Sequence, residues 1–427
     1  MTDWMLGRRA LLAGAGALVA APAVARTTGG DRWPALRALV SRYIAEKKVP
    51  GAAVAIVRPG RFRPDWIIEG EDAFTGGRPV TKDTLWRIYS MTKPLTGMMA
   101  MAMVAEGKLR LDQPIGDVLP EFAAMRVQTD PANSLASRPA ERPILLRHLL
   151  THTAGLGYSI NGNGPLEKEY KRLGLQPGSS NRFLAPGDGA IPDLQTFVKR
   201  LATLPLRSEP GTGWHYSVAN DLLGGLMERV GGAPLDVLMQ RMLLKPLGMD
   251  STRFQVRAAD ARRLSTNYAW IGLDGKPLAT PQPIDTPVDS DWLRPPAMFS
   301  GGGGLAASAS DYARFAQMLV NGGGFERGVV LRETTVRQGM SNLMPPGVFY
   351  EKMDGFGASG RLTLFDTLKV APDGSPAGSY GWGGAAGTLF QVDPVRGVGV
   401  VVMLQYLPQQ RFPLPKELQV ALNQDLA

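Results

Sequence analysis

The chain has 427 residues, of which 44% are apolar and 20% are charged, and its formal net charge is +9. These proportions are typical of a folded globular protein and exclude a disordered chain. There are three histidines and no cysteine, which excludes thiol nucleophiles, disulfides and cysteine metal sites and leaves little material for a histidine metal cage. We therefore expect chemistry based on hydroxyls, amines and carboxylates, with no cofactor and no metal.

Residues 1–25 are typical of an export signal. Arg8 and Arg9 precede the uncharged stretch 10–25, which ends in a small-x-small pattern (Ala-Val-Ala) suited to signal peptidase. The arginine pair and the mildly apolar, Gly-rich core are similar to a twin-arginine signal, which predicts a folded protein exported to the periplasm. The stretch is shorter than the roughly 20 residues of a membrane helix. A retained anchor is the alternative, and Pro22 argues against it; we expect no membrane span after signal removal.

The remaining chain predicts one sheet built from both chain ends, with a helical region inserted. Strand-like runs near both termini flank a mainly helical middle, and no internal repeat is visible. Residues 31–145 and 290–427 are predicted to form the α/β part of a single 31–427 domain, and residues 146–289 the mainly helical part. In chain order, we predict a helix over 33–47, strands over 51–57 and 65–70, an apolar helix over 90–107, strands over 380–392 and 397–405, and a closing helix over 415–426.

Lysine and arginine are scattered along the chain and form no long run or helical stripe. Nucleic acid or an anionic membrane surface would require a clustered basic footprint. We therefore predict no nucleic-acid partner. The oligomeric state stays open.

Ser90 and Lys93 are the first candidates for chemistry. They lie three residues apart, one turn away on the same helix face. The helix N-terminus favours a developing alkoxide on Ser90, and Lys93 in its neutral form could accept the proton. Ser-x-x-Lys occurs once here, and chance supplies about one per chain of this size. The alternative, in which Ser90 caps the helix and Lys93 is a surface charge, stays open on this motif alone, although an exposed lysine would be unusual in so apolar a helix.

Further motifs occur in order from about residue 35 to the C-terminus. Together with the Ser90 segment, they resemble the serine β-lactamase and penicillin-binding-protein superfamily, which implies an α/β (α+β) fold of the β-lactamase/transpeptidase type: an antiparallel sheet flanked by helices. The matching segments are 84–93 (TLWRIYSMTK), 107–114 (GKLRLDQP), 144–156 (ILLRHLLTHTAGL), 246–252 (PLGMDST) and 302–305 (GGGL) leading into 311–312 (DY).

The segment 213–221 (GWHYSVAND) is similar to the tyrosine element of class C β-lactamases and family VIII carboxylesterases. The resemblance implies that Tyr216 shares a proton with Lys93 and protonates the leaving group. Val218 stands where an amide would hold a β-lactam side chain, and Asn220 could replace that amide only with a different local geometry. His215 is predicted to line the cleft.

The strand 380–387 (YGWGGAAG) matches the third element of the superfamily. Trp382 stands where β-lactamases have lysine and Gly383 where they have threonine, so the carboxylate-recognising side chains are absent. This form is similar to family VIII carboxylesterases and related transacylases. The resemblance implies an oxyanion hole from the backbone N–H groups of Ser90 and Ala385, and substrate contacts at Trp382, Gly383 and Gly384.

His148 and His152 have the i, i+4 spacing of a helical metal site. No third ligand is evident, so we predict a structural role and no metal. The chain has no Gly-x-Ser-x-Gly, which excludes an α/β-hydrolase of the usual form. The long, turn-rich loop 157–189 is predicted to form the specificity-setting wall.

These motifs predict an exported serine hydrolase that cleaves small carboxylic esters through an acyl-enzyme on Ser90. Its partner would be a small-molecule ester or amide. The alternatives are a β-lactamase or D-amino-acid peptidase, a transacylase, and a non-catalytic cell-wall-binding protein.

Overall fold

The computed structural model describes residues 32–176 and 191–427 except residues 273, 327 and 352. The predicted export signal and residues 177–189 of the predicted specificity loop lie outside the described residues. No helix in the described ranges is long and apolar enough to span a bilayer.

Helices and strands are mixed in the N-terminal part, helices dominate the middle, and strands return toward the end. The helices are α1 (Pro34–Ala45), α2 (Thr92–Ala105), α3 (Leu146–Leu150), α4 (Pro165–Arg172), α5 (Leu194–Leu201), α6 (Ala219–Gly231), α7 (Leu235–Met239), α8 (Lys245–Leu247), α9 (Ala309–Val320), α10 (Glu333–Gly339) and α11 (Leu414–Asp425). The strands are β1 (Gly51–Arg58), β2 (Arg61–Gly70), β3 (Leu85–Arg87), β4 (Arg126–Gln128), β5 (Ser137–Pro139), β6 (Asn267–Ile271), β7 (Pro277–Asp285), β8 (Ala306–Ser308), β9 (Gly324–Phe325), β10 (Gly328–Val329), β11 (Gly355–Phe356), β12 (Arg361–Leu362), β13 (Tyr380–Gly383), β14 (Leu389–Asp393), β15 (Val398–Met403) and β16 (Tyr406–Leu407).

The main sheet has the order β11-β12-β13-β14-β15-β1-β2, and every neighbouring pair is antiparallel. Strand β1, from the N-terminal part, pairs with β15, from the C-terminal part, with Val54 opposite Val402. The prediction of one antiparallel sheet built from both chain ends is thereby confirmed.

Both faces of the sheet are covered, which explains why β1 reads as a continuous apolar run. Successive side chains of a strand point to opposite faces. Ala53, Ala55 and Val57 belong to the large core shared with α2 and α9, whereas Val54 and Ile56 belong to a second core that includes residues of α1 and α11.

The run 380–392 is two strands and not the single strand predicted from its apolar character. The chain reverses between β13 and β14, where Gly384 N–H donates to Thr388 O at 2.7 Å. Gly387 has a φ of +83°, which glycine adopts without steric penalty. The sequence gives no clear sign of this tight turn, because its residues are small and mostly apolar and continue the apolar run of the strands.

Among the described residues of the inserted region, α8 is the last α-helix, and a 3₁₀ helix (Ala258–Arg263) follows it. Strands β6 and β7 follow, and β6 also pairs in parallel with β16 near the C-terminus. Asp285, at the end of β7, forms an ion pair with the fully buried Arg87 of β3. The hairpin of β6 and β7 thus ends the range that was predicted to be mainly helical. The β-prone residues of β6 pair with β7 on one side and with β16 on the other.

Candidate active site

A sharp backbone turn places Ser90 at the start of α2. Tyr89 has a φ of +41°, a left-handed conformation that costs a non-glycine residue about 1–3 kcal/mol and is common at active sites. Its ring packs edge-on against Trp292 at 5.3 Å, and its hydroxyl accepts a hydrogen bond from Asn267 at 3.1 Å. These contacts hold the strained residue, and one 3₁₀ turn (Tyr89–Met91) then leads into α2.

Ser90, Lys93 and Tyr216 lie in direct contact. The Ser90 Oγ is 2.6 Å from the Tyr216 hydroxyl, and Lys93 Nζ donates to Ser90 Oγ at 3.2 Å. Nζ also donates to the Gly302 carbonyl at 2.7 Å and lies 4.7 Å from the centre of the Tyr216 ring. Lys93 is fully buried, so it is not a surface charge. The arrangement can remove a proton from Ser90 and return one to a leaving group.

A glycine-rich segment, residues 300–304, separates α2 from α6; we call it the glycine loop. Thr96 of α2 donates to the Gly301 carbonyl at 2.8 Å. On the other side, a Cβ added to Gly301 would lie 2.5 Å from the carbonyl oxygen of Asn220. Gly301 therefore fits between the two helices only without a side chain, and this fit fixes the neighbouring Gly302 carbonyl that receives Lys93.

His152 packs against the Tyr216 segment and contacts its backbone and side chains. Its carbonyl accepts from His215 N–H at 2.8 Å, and its Nδ1 lies 3.0 Å from Ser217 Oγ, so it contacts the residues on both sides of Tyr216. Its ring centre is 5.0 Å from that of Tyr216. Burial, and next the charge of Lys93, hold the pKa of His152 well below its usual range. His152 is thus a neutral packing group.

His148 also has a structural contact. Its Nδ1 accepts from Leu145 N–H at 3.1 Å, at the start of α3. Burial, with a smaller contribution from Arg147, lowers its pKa to about 4. Across the described ranges, no three or more His, Asp or Glu side chains come together as a metal site would require.

The turn after β13 approaches the nucleophile segment closely. Thr388 Oγ1 donates to the Ile88 carbonyl at 3.5 Å, and a Cβ on Gly384 would lie 2.4 Å from the same oxygen. Gly384 is therefore buried against the backbone and does not line the cavity. Ala385, the next residue, is exposed and lines the same cavity as Ser90. Ser90 and Ala385, whose backbone N–H groups are expected to form the oxyanion hole, thus line one cavity.

The cavity above Ser90 has a volume of about 790 Å³. Four aromatic side chains line one side of it, and we call them the aromatic wall: Trp214, Tyr216, Tyr350 and Trp382. The ring centre of Trp382 lies 5.9 Å from the ring centres of both Tyr216 and Tyr350. The ring centres of Tyr350 and Trp214 are 4.7 Å apart. Gly383 also lines the cavity.

The structure places elsewhere both His215, which was predicted to line the cleft, and Asn220, which was considered as a replacement for the missing amide. His215 lines a separate pocket of about 230 Å³ behind Tyr216. Asn220 is fully buried and donates to Ser359 Oγ at 2.7 Å, so it does not replace the amide missing at Val218. The described start of the loop 157–189 does reach the cavity, through Ile160 and Asn161.

Sequence reasoning missed three residues of this site. Trp214 lies in the quoted tyrosine segment, so its place in the aromatic wall could have been suspected. Asp221 lies in the same segment and contacts the glycine loop. Tyr350 belongs to no recognisable motif, and no sequence signal pointed to it.

Comparison with known proteins settles the family. The Beta-lactamase family model matches residues 36–423. The chain belongs to the β-lactamase family. This confirms the resemblance to the serine β-lactamase and penicillin-binding-protein superfamily, and the chain is a serine hydrolase of that superfamily.

Relatives of this β-lactamase-family protein include esterases and acyltransferases. Esterase EstB of Burkholderia gladioli is 31% identical over 385 residues, covering 86% of this chain and 89% of the relative. The monacolin J acid methylbutanoyltransferase of Aspergillus terreus is 28% identical over 356 residues, covering 77% and 79%. The solved structure of EstCE1, a hydrolase with promiscuous acyltransferase activity, matches with a TM-score of 0.73 and 26% identity over 91% of this chain and 97% of that one.

Proposed function

We propose that this serine hydrolase cleaves small carboxylic esters through an acyl-enzyme on Ser90. The observation that carries the proposal is the contact of Ser90 Oγ with both the Tyr216 hydroxyl and Lys93 Nζ in a cavity. A hydroxyl needs an adjacent proton acceptor to become a nucleophile, and both neighbours can serve.

Each step uses a group already in place. Ser90 Oγ attacks the ester carbonyl while its proton passes to the Tyr216–Lys93 pair. The backbone N–H groups of Ser90 and Ala385 receive the negative charge that develops on the carbonyl oxygen. Tyr216 then protonates the leaving alcohol as the carbon–oxygen bond breaks. A water molecule, deprotonated by the same pair, attacks the acyl-enzyme and releases the carboxylic acid.

The aromatic wall supports esters over β-lactams and D-amino-acid peptides. Those substrates carry a carboxylate, which the β-lactamase lysine recognises, and Trp382 stands at that position. Trp382 and Tyr350 instead present apolar surface to the substrate. The relatedness to esterase EstB supports the same choice.

Acyl transfer to an alcohol is the second candidate. The relatives include an acyltransferase and a hydrolase with promiscuous acyltransferase activity. The cavity, at about 790 Å³, is large enough to admit an acceptor alcohol beside the acyl group. A rise in product ester over free acid when alcohol is added would favour this candidate.

A fluorophosphonate probe and a series of p-nitrophenyl esters test the proposal. Wild type should be labelled and should turn over the short esters, whereas Ser90→Ala should do neither. Ser310→Ala is the matched control, because Ser310 lies away from the cavity on α9. Equal labelling of wild type and Ser90→Ala contradicts the proposal, and faster turnover of a chromogenic cephalosporin or a D-Ala-D-Ala peptide than of any ester contradicts the ester assignment.

We further propose that the protein is exported to the periplasm by a twin-arginine signal in residues 1–25. The support is the sequence pattern of Arg8 and Arg9, the apolar stretch and the small-x-small triplet. Replacing both arginines with lysine should keep the protein in the cytoplasm of a bacterial host. Unchanged export of that variant contradicts the twin-arginine assignment.

A further inference from the structure

A buried carboxylate that the proposed mechanism does not use lies next to the active site. Asp221 is fully buried in the first turn of α6, shortly after Tyr216 in the chain. Burying a charge is costly unless it is paired or hydrogen-bonded, so an acid at such a position calls for a partner.

The glycine loop connects Asp221 to Lys93. Oδ1 of Asp221 accepts from Ser300 Oγ at 2.5 Å and from Gly302 N–H at 3.1 Å. The carbonyl of the same Gly302 accepts from Lys93 Nζ at 2.7 Å. A Cβ on Gly302 would lie 2.8 Å from Asp221 Oδ2, so the carboxylate lies directly against this backbone. One residue of the loop thus joins the carboxylate to the amine.

Within the described part of the chain, the other titratable groups that face Lys93 and Asp221 are Tyr158, Tyr216 and His152. Lys93 Nζ is 5.8 Å from the ring centre of Tyr158 and 4.7 Å from that of Tyr216. Burial first, and then Tyr216 and Asp221, raise the pKa of Tyr158 well above its usual range. Burial and the charge of Lys93 keep His152 neutral. The glycine loop carries no ionisable side chain, so Asp221 is the carboxylate that faces Lys93 from α6.

Opposing effects act on the charge of Asp221. Burial is the largest effect and leaves the pKa of Asp221 above its usual value, while the hydrogen bond from Ser300, the charge of Lys93 and the Gly302 N–H act in the opposite direction and favour the ionised form. The first turn of an α-helix also stabilises negative charge.

We propose that Asp221 is a positioning residue for Lys93: it holds the Gly302 peptide that fixes Lys93 Nζ, and its negative charge stabilises the ammonium form of Lys93. The inference rests on the proposed function, because it concerns the group that takes the proton from Ser90. Lys93 must release its own proton against the field of the carboxylate before it can act as a base. Asp221 therefore sets the pH at which the enzyme becomes active.

Asp221→Asn removes the charge and retains the hydrogen bonds. Because Oδ1 accepts from both Ser300 and Gly302, the amide oxygen of asparagine can occupy the same position. The measurement is kcat/KM for p-nitrophenyl acetate as a function of pH. We expect the rising limb of the profile to move to lower pH by about 1 unit, since an opposite charge nearby shifts a titration by about that amount.

Ser300→Ala supplies an independent measurement that does not alter Asp221 itself. It removes the shortest hydrogen bond to the carboxylate, so the carboxylate binds a proton more readily and its charge is partly lost. We expect a shift of the limb in the same direction and of smaller size, and this variant decides the matter if Asp221→Asn does not fold.

Asp311→Asn is the matched control. Asp311 is also buried, and its Oδ2 accepts from Ser251 N–H and Thr252 Oγ1, both at 2.8 Å, at a distance from the cavity. Its profile should coincide with that of wild type. The inference is overturned if the limbs of Asp221→Asn and Ser300→Ala coincide with wild type, or if Asp311→Asn shifts as far as Asp221→Asn. A failure of the proposed function is distinguishable, because wild type would then not be labelled by the fluorophosphonate.

Discussion

The two sides of the cavity are held by different kinds of contact. On the side formed by α2, the glycine loop and the start of α6, hydrogen bonds fix the side chains: Lys93 is fully buried and donates to Ser90 and Gly302. On the other side, ring contacts hold the aromatic wall, and the buried indole N–H groups of Trp214 and Trp382 have no hydrogen-bond partner in the described part of the chain. The first side therefore holds the reacting groups in one fixed geometry, whereas the second side can adapt to substrates of different shape.

The largest loss of activity is expected when Lys93, on the first side, is replaced. Lys93→Met keeps an unbranched side chain of similar length in the apolar interior of α2 and removes the amine next to Ser90. We expect kcat/KM for p-nitrophenyl acetate to fall by about 10³-fold or more, since the nucleophile loses a proton acceptor. The free energy of unfolding should also fall, by at most about 3–5 kcal/mol, because the buried carboxylate of Asp221 and the Gly302 carbonyl lose the amine that compensates them.

Steady-state kinetics and urea unfolding of the same Lys93→Met preparation check both expectations. A variant that retains more than a tenth of wild-type activity would show that Lys93 is not required for the proton transfer. A variant that loses activity only because it unfolds would be recognised by its urea midpoint.

The next largest effect is expected at Tyr216, which belongs to both sides. Tyr216→Phe keeps the ring in the aromatic wall and removes the hydroxyl that lies 2.6 Å from Ser90 Oγ. General acid–base groups contribute about 10²–10⁴-fold, so kcat should fall by about that factor while KM changes little. Tyr350→Phe, a change on the same wall without a contact to Ser90 Oγ, is the control. If kcat falls equally in the two variants, the Tyr216 hydroxyl takes no special part in proton transfer and Tyr216 acts only as a member of the aromatic wall.

A smaller effect, on stability, is expected at His148, which accepts a hydrogen bond at the start of α3. The pKa of His148 is lowered to about 4, mainly by burial, from an ordinary value near 6.5. The unfolded chain therefore binds a proton at a higher pH than the folded protein does. The resulting stability is fully present above about pH 6.5 and is lost as the pH falls toward 4, by at most about 3 kcal/mol.

His148→Asn removes this titration and keeps an acceptor for Leu145 N–H. Urea unfolding at several pH values should show wild type losing stability relative to the variant between pH 6.5 and 4. A difference between the two proteins that stays constant across that range would contradict the expected protonation change. His152 is present in both proteins, so its own titration cancels.

The sequence predicted the first side better than the second. Ser90, Lys93 and the strands near both chain ends could be predicted because helical spacing, apolar periodicity and ordered motifs are local in the chain. The β13–β14 turn was missed because small apolar residues form it. Asp221 and Tyr350 act through contacts between distant segments, the glycine loop in one case and Trp214 in the other. Pairings of that kind are decided by packing in three dimensions.

The smallest effect is expected where the aromatic wall is altered alone. Trp382→Leu removes apolar surface beside Tyr216 and Tyr350 without touching Ser90 or Lys93. We expect KM for a bulky or aromatic ester to rise about 10-fold, while kcat for p-nitrophenyl acetate stays within about 3-fold, because lost contacts in an apolar pocket cost about 1–3 kcal/mol. His215→Ala is the control, since His215 lines the separate pocket behind Tyr216 and should leave both substrates unaffected. If Trp382→Leu lowers kcat equally for the small and the bulky ester, the wall also positions Tyr216, and the two sides of the cavity are not independent.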